Sequence, residues 1–249
     1  MNLKRCFFSK IVRLALILHC IMIFLMAFVC INNADSPYYI CLRGLLNTLN
    51  FMEGTLIIAL FGYVLGIEYE MKTIKILKAK NIKPYKVIGA KTIVGIMYIF
   101  IYIILAFVIT LIVGKMAIST YNDIDINFNN NHFVIQNSEA LKFMINFYIA
   151  QGIAFIYILS VSILFNILTK NTVISVISTF VFIQVSSMVG MLLKRIPLPN
   201  VYKFIPINSD YIWRDYAIGE VNQRLICLLI FSLLIYILNI KVYKEQNIK

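Results

Sequence analysis

Residues 68–91, EYEMKTIKILKAKNIKPYKVIGAK, form the one long, strongly charged segment in a chain that is otherwise mostly apolar. Its seven lysines, Lys72, Lys75, Lys78, Lys80, Lys83, Lys86 and Lys91, stand between two hydrophobic runs, each long enough to cross a bilayer. Charge at that density does not enter hydrocarbon, so the segment lies outside the membrane and divides the spans before it from those after it. The side on which it lies decides the topology and, with it, the function.

The rest of the chain supports a membrane setting. Of 249 residues, 61% are hydrophobic and 14% charged, and the mean hydropathy is +0.86, which is more apolar surface than one soluble core can hide. Runs of about 20 residues with few charges are the mark of bilayer-crossing helices. They fall at 11–31, 45–67, 87–113, 143–168, 173–193 and 225–240. The runs are continuous rather than alternating, and open sheet edges cannot face lipid, so spanning strands are excluded. The expected fold is an all-α integral membrane protein, one transmembrane domain over 1–249 with six transmembrane helices.

The basic residues set the orientation. With both termini inside, the cytoplasmic side holds 15 Lys and Arg residues, against 8 on the other side. Most acidic residues (Asp35, Asp123, Asp125, Glu139, Asp210, Asp215 and Glu220) fall in the outer loops. The opening segment is therefore expected in the cytoplasm, in a multi-pass plasma-membrane protein. The net charge of +12 clusters at the ends of apolar runs, so its partner is the anionic lipid leaflet and not nucleic acid.

The run at 11–31 is too long for a signal-peptide core, and no small residues precede Cys30 as a lipid-attachment site would need, so this segment is read as retained. Residues 1–10 set Leu3, Phe7 and Phe8 among Lys4, Arg5 and Lys10, a pattern suited to an interfacial helix or to a basic tail. The outer loop at 115–142 is rich in Asn and Asp and is expected to hold little regular structure. At 194–224, Pro197, Pro199 and Pro206 alternate with Tyr202, Phe204, Tyr211, Trp213 and Tyr216, which fits either re-entrant helices before the last span or an aromatic belt. Five cysteines form no CxxC pair and no metal spacing, and are read as small apolar residues, with a Cys30–Cys41 disulfide as the minor alternative.

A catalytic constellation does not assemble. GxxxxGK[ST], HExxH and GxSxG are all absent, and His19 and His132 are too few for a histidine-based metal site. The polar residues within spans are the remaining candidates for a transport path. Glu53 in the second span is the strongest, because an ionisable group at membrane depth faces a bundle interior or an aqueous route. His19 lies at a comparable depth in the first span, which allows a Glu53–His19 contact; the alternative is a Glu53 hydrated near the outer surface and a His19 packed between helices. Gln151 and Gln184 join them as path candidates in the fourth and fifth spans, with interhelical hydrogen bonding as the plainer role.

In the opening segment, Met71, Ile74 and Leu77 recur every third residue between lysines, and Glu68 precedes Lys72 by four, the pattern of a short amphipathic cytoplasmic helix over about 68–83. Pro84 then opens the next helix, where its missing N–H costs nothing. The order Glu68-Tyr69-Glu70, Thr73, Ile76-Leu77, Pro84, Lys86 and Lys91 resembles the segment between the second and third spans of permease subunits in the type-2 family of ABC exporters. Lys72 stands where that family usually has Gly, and Lys86 where it has Arg.

The resemblance implies a coupling helix in which Glu68, Glu70, Met71, Thr73, Ile74 and Leu77 dock onto a separate ABC ATPase subunit. It implies a dimer with a second permease copy or a paralogue, in which the first, second and fifth spans line the substrate route. It implies no cofactor and no enzymatic site in this chain, ATP and Mg being held by the partner ATPase. Short outer loops and an apolar interior suit an amphipathic or antimicrobial peptide, or a hydrophobic compound, as cargo. The competing readings are an ATPase-independent transporter or channel and a membrane-embedded immunity or sensor protein.

Overall fold

The structure is a computed structural model that describes residues 10–31, 36–48, 62–63, 66, 82–118, 123–128, 131–193 and 221–248. Six helices are resolved within these: α1 (Lys10–Val29), α2 (Pro37–Thr48), α3 (Pro84–Ala117), α4 (Asn137–Thr169), α5 (Thr172–Leu193) and α6 (Val221–Ile248). Strands β1 (Ile124–Phe128) and β2 (Asn131–Ile135) lie between α3 and α4.

Four stretches are long and apolar enough to cross a membrane: Val12–Val29 of α1, all of α3, all of α4, and Leu225–Glu245 of α6. The expectation of six spans is thus met by four among the described residues. The expected second span at 45–67 falls largely outside them, and in α5 the apolar stretch is the shorter Thr172–Ser186. The last helix, expected to be short, runs for 28 residues.

Side-chain contacts give the direction of each helix. Tyr148 of α4 bonds Thr110 of α3, Phe155 meets Tyr102, and Leu159 packs against Gly95, so α3 and α4 run antiparallel. Ala27 and Cys30 at the end of α1 pack with Val113 near the end of α3 and with Ile40 of α2, so α1 runs parallel to α3. Leu228 packs with Ala150 and Ala154, and Asn239 bonds Ser160, so α6 runs parallel to α4. The starts of α1, α3 and α5 and the ends of α4 and α6 therefore share one end of the bundle, the Pro84 end. The other is the Ala117 end.

Local sequence explains the boundaries. Pro84 occupies the first turn of α3 behind an extended Lys83. A 34-residue helix is about 51 Å long, well beyond the hydrocarbon thickness, so α3 projects from the membrane or tilts. At the start of α4 the carboxylate of Asp123 accepts the N–H of Asn137 at 2.8 Å, an anion placed at the positive end of a helix. α4 and α5 are joined by two residues. Lys170 takes the left-handed conformation at φ 53, and Asn171 Oδ1 accepts the N–H groups of Val173 and Ile174 at 2.9 and 3.1 Å.

Two connecting segments depart from expectation. The loop at 115–142 contains an antiparallel hairpin, with Ile124 opposite Ile135 and Phe128 opposite Asn131, so among the described residues the regular structure is helical but for this one element. Its composition is that of a solvated loop, yet Ile124, Ile126 and Phe128 alternate with Asp125 and Asn127, and period two decides the backbone. The connection after α1 holds helix α2, which begins eight residues ahead of the expected second span and packs against α1 and α3. Cys30 and Cys41 are both buried and both free thiols, so the disulfide alternative is not adopted.

The contact between α2 and α3 leaves no room for a side chain at Gly114. A Cβ there would lie 2.6 Å from the carbonyl oxygen of Pro37 and 3.1 Å from its Cα, both backbone atoms that cannot swing aside. At Gly89 the nearest neighbour is the Tyr236 hydroxyl at 3.4 Å, an ordinary contact. Gly114→Ala is therefore expected to destabilise by about 1–3 kcal/mol through overpacking. Gly89→Ala is expected to be neutral, or stabilising by up to ~1 kcal/mol through helix propensity. Thermal unfolding of the two variants in detergent checks the contrast, and an equal melting temperature for both would sink it.

Candidate functional site

The described part of the bundle holds its polar groups at three levels along α4, and each level joins α4 to different neighbours. Near the Ala117 end, Tyr148 donates to the carbonyl of Cys41 on α2 at 3.0 Å and lies 3.0 Å from Thr110 Oγ1 on α3. With the Tyr148 proton on Cys41, the single Thr110 proton is shared between the Tyr148 oxygen and the Ala106 carbonyl, 2.8 Å away. One buried phenol thus ties three helices, and Phe107 packs edge-on to its ring.

At the middle level, His19 of α1 meets Tyr102 of α3 with ring centroids 3.9 Å apart, and Tyr102 meets Phe155 of α4 edge-on at 5.7 Å. Gln151, one turn from Phe155, is buried, and its Oε1 has no hydrogen-bond partner.

The third level, toward the Pro84 end, is the richest in polar groups. Asn239 Nδ2 of α6 donates to the Ser160 carbonyl at 3.1 Å, and Ser175 Oγ of α5 donates to the Ser162 carbonyl at 3.4 Å. Asn166 Nδ2 donates to the carbonyl of Gly62 at 3.3 Å. The side-chain oxygens of Ser162, Asn166, Thr172 and Asn239 are buried without a hydrogen-bond partner. Lys91, also toward this end, is among the most deeply buried large side chains, at 2% exposure.

Exposed charge differs between the two ends. Among the described residues, the Pro84 end exposes Arg13, Lys83, Lys86, Lys170, Lys241 and Lys244 against Glu245 alone. At the Ala117 end, exposed Lys115 and Lys142 are balanced by Asp123 and Glu139, and half-buried Arg43 lies over the Tyr39 ring at 5.6 Å.

The structure brings some of the expected path residues together and separates others. His19 is buried in the core, in contact with Tyr102, and Gln151 is buried at the same level. Gln184 is exposed on α5, so it does not line an interior path within one chain; α5 turns that side outward together with Val181, Phe182, Val185 and Met188. Glu53, and with it the Glu53–His19 contact, lies outside the described residues. So do the docking candidates Glu68, Glu70, Met71, Thr73, Ile74 and Leu77, the interfacial N-terminal segment and the outer segment at 194–220. Among the described residues no group of His, Cys, Asp and Glu is placed to hold a metal ion.

Sequence reading alone does not single out Tyr148 or Thr110, because a Tyr or Thr within an apolar helix carries no periodic signal. Asn166 is legible as an amide within an apolar run, which must find partners inside a bundle, whereas Asn239, at the edge of the last run, is not singled out by sequence. Comparison with protein-family models, with curated proteins and with solved structures finds no match for the chain. What the sequence and the structure establish is a multi-pass, predominantly helical membrane protein.

Cys41 reports on the first level. Burial pushes its thiol up to about 12, against weaker opposing effects of Thr110 and Lys115. Its alkylation is expected to stay slow as pH rises through the ordinary thiol range, whereas an exposed cysteine accelerates with its thiolate fraction. Tyr148→Phe removes the link to the Cys41 carbonyl and is expected to cost about 1 kcal/mol of stability and to speed Cys41 labelling. Labelling followed by mass spectrometry in both proteins checks this, and fast labelling of Cys41 in the unaltered protein would overturn it.

Proposed function

We propose that this chain is the transmembrane permease subunit of an ATP-driven exporter of the type-2 ABC class, with the charged segment at 68–83 as the docking element for a separate ATPase subunit. The carrying observation is where that segment is tethered. Gly66, two residues before Glu68, is buried against Asn166 and Thr172 at the α4–α5 turn, and Lys83 leads into Pro84 at the start of α3. Both tethers lie at the end of the bundle whose exposed charge is basic, the signature of a cytoplasmic face.

A six-span course with both termini inside is supported by connectivity. The contact of Pro37 with Gly114 sets the start of α2 at the Ala117 end, while Gly62 meets Asn166 toward the Pro84 end. That separation of the two contacts supports a second crossing between α2 and Gly62, and the 22 residues of α5 support a fifth.

Gln184 supports a dimer. An amide turned outward amid Val181, Val185 and Met188 meets hydrocarbon in a lone chain, at a cost that a second permease copy covering α5 removes. The lack of a phosphate-binding loop means that ATP and Mg belong to the partner, and this chain is not itself an enzyme. The apolar aromatic level at His19, Tyr102 and Phe155 suits an amphipathic peptide or hydrophobic cargo moving along or between such bundles.

Expressing the protein with an ATPase encoded beside it should yield a complex that survives purification. Replacing Glu68 and Thr73 together should weaken that complex at least about tenfold, equivalent to ~1.4 kcal/mol. Absence of any ATPase from the unaltered preparation would defeat the exporter reading, and a complex indifferent to the double replacement would defeat the docking role.

A further inference from the structure

We propose that Gly62 and Gly66, seated on Asn166, Thr172 and Val176, form a stiff joint that makes the α4–α5 turn follow any displacement of the segment beginning at Glu68. The mechanical role rests on the permease reading; the joint itself rests on geometry. Glycines four apart share one face of a helix. At Gly62 an added Cβ would run into the side chain of Val176. At Gly66 it would run into Thr172 Oγ1 and come within 2.8 Å of Asn166 Oδ1 and 3.1 Å of Thr172 Cβ. The two segments are thus in contact at the distance that only glycine allows.

The polar groups at this contact are arranged around the glycines. Asn166 Nδ2 donates to the Gly62 carbonyl, while Asn166 Oδ1 and Thr172 Oγ1, with no hydrogen-bond partner, both face the α-carbon of Gly66. A Cα–H group is a weak donor, and close helix contacts of this kind use it repeatedly. Asn166 is 1% exposed and Thr172 6% exposed, so water does not compete for them.

The turn beyond has no slack. The N–H of Lys170 donates to the Asn166 carbonyl at 3.1 Å, Asn171 caps α5, and Thr169 Oγ1 reaches both Phe165 O at 2.8 Å and Asn171 O at 3.1 Å. Ser175 ties α5 back to the Ser162 carbonyl. A push delivered at Gly66 therefore moves the end of α4 and the start of α5 as one body. In sequence Glu68 is two residues on, at most about 7 Å of chain from Gly66.

The test attaches a nitroxide at Val173→Cys, an exposed position in the first turn of α5, in a chain whose native cysteines are replaced. In the absence of any partner, Gly66→Ala and Asn166→Ala should each increase label mobility, while Gly89→Ala, which meets only an ordinary contact, should not. Spectra that are the same for all four chains would overturn the joint. In the second arm, ATPase and a non-hydrolysable ATP analogue are added. The unaltered joint should transmit a spectral shift to position 173, and Gly66→Ala should abolish that shift while the ATPase still co-purifies. A shift that persists in Gly66→Ala would overturn the transmission. If no ATPase binds the unaltered protein, the permease reading falls and the first arm alone decides the joint.

Discussion

Hydrocarbon offers no partner to the amide of Gln151 or Asn166 or to the hydroxyls of Ser160 and Ser162, and all four lie on α4. An isolated amide or hydroxyl in an apolar medium costs several kcal/mol, on the order of 4–8 in the worst case. That constraint forces α4 into the middle, packed against α3, α5 and α6 and touched by α2. The neighbours meet α4 at other polar groups: Thr110 of α3 and the Cys41 carbonyl of α2 at the Tyr148 hydroxyl, and Ser175 of α5 and Asn239 of α6 at the Ser162 and Ser160 carbonyls, while Gln151 Oε1, Asn166 Oδ1 and Ser162 Oγ stay buried without a hydrogen-bond partner. Glycines at the same contacts, Gly95 against Leu159 and Gly152 against Ile103, let the helices approach closely enough for those bonds to form.

The outer helices obey the opposite rule. α1 turns Leu14, Ile17, Leu18, Ile21, Phe24 and Phe28 outward, and α6 turns out Ile226, Leu229, Ile230, Leu233, Leu234 and Ile237. Such faces would be an aggregation hazard in water and are at rest in lipid. Between the two extremes, Gln184 is an amide that α5 turns outward into an apolar stripe, where lipid offers it no partner.

Length and hydropathy are whole-segment properties, and they were legible: helices lie over the apolar runs at 11–31, 87–113, 143–168 and 225–240, with α4 beginning six residues earlier and α6 ending eight residues later than its run. The α4–α5 break was also legible, because Lys170 and Asn171 interrupt two apolar runs. What hydropathy missed is decided by shorter periods. The hairpin around Asn129 and Asn130 hid beneath a polar composition, and α2 hid because Pro37–Thr48 mixes Tyr, Arg and Leu in a stretch too short and too polar to register as a span. Of the candidate site, His19 and Gln151 were found because polar residues stand out in apolar runs. Gln184 stood out for the same reason, yet the direction of a side chain depends on which neighbours surround the helix, and a single sequence does not contain that information.

Lys170 shows how charge and backbone conformation compete at the α4–α5 turn. A non-glycine residue at φ 53 costs roughly 1–2 kcal/mol, because its Cβ crowds the following carbonyl. Glycine would relieve that strain at a position where helices commonly end. A lysine side chain there meets the negative end of α4, a gain of roughly 0.3–1 kcal/mol at an exposed site, which leaves part of the strain uncompensated. The remainder is explained by position. Lys170 joins Arg13, Lys83, Lys86, Lys241 and Lys244 at the Pro84 end. That cluster gives this end its basic character, and the α4–α5 loop has only two residues in which to carry a charge. With Asn171 engaged in capping α5, the left-handed position is the only one left for the charge.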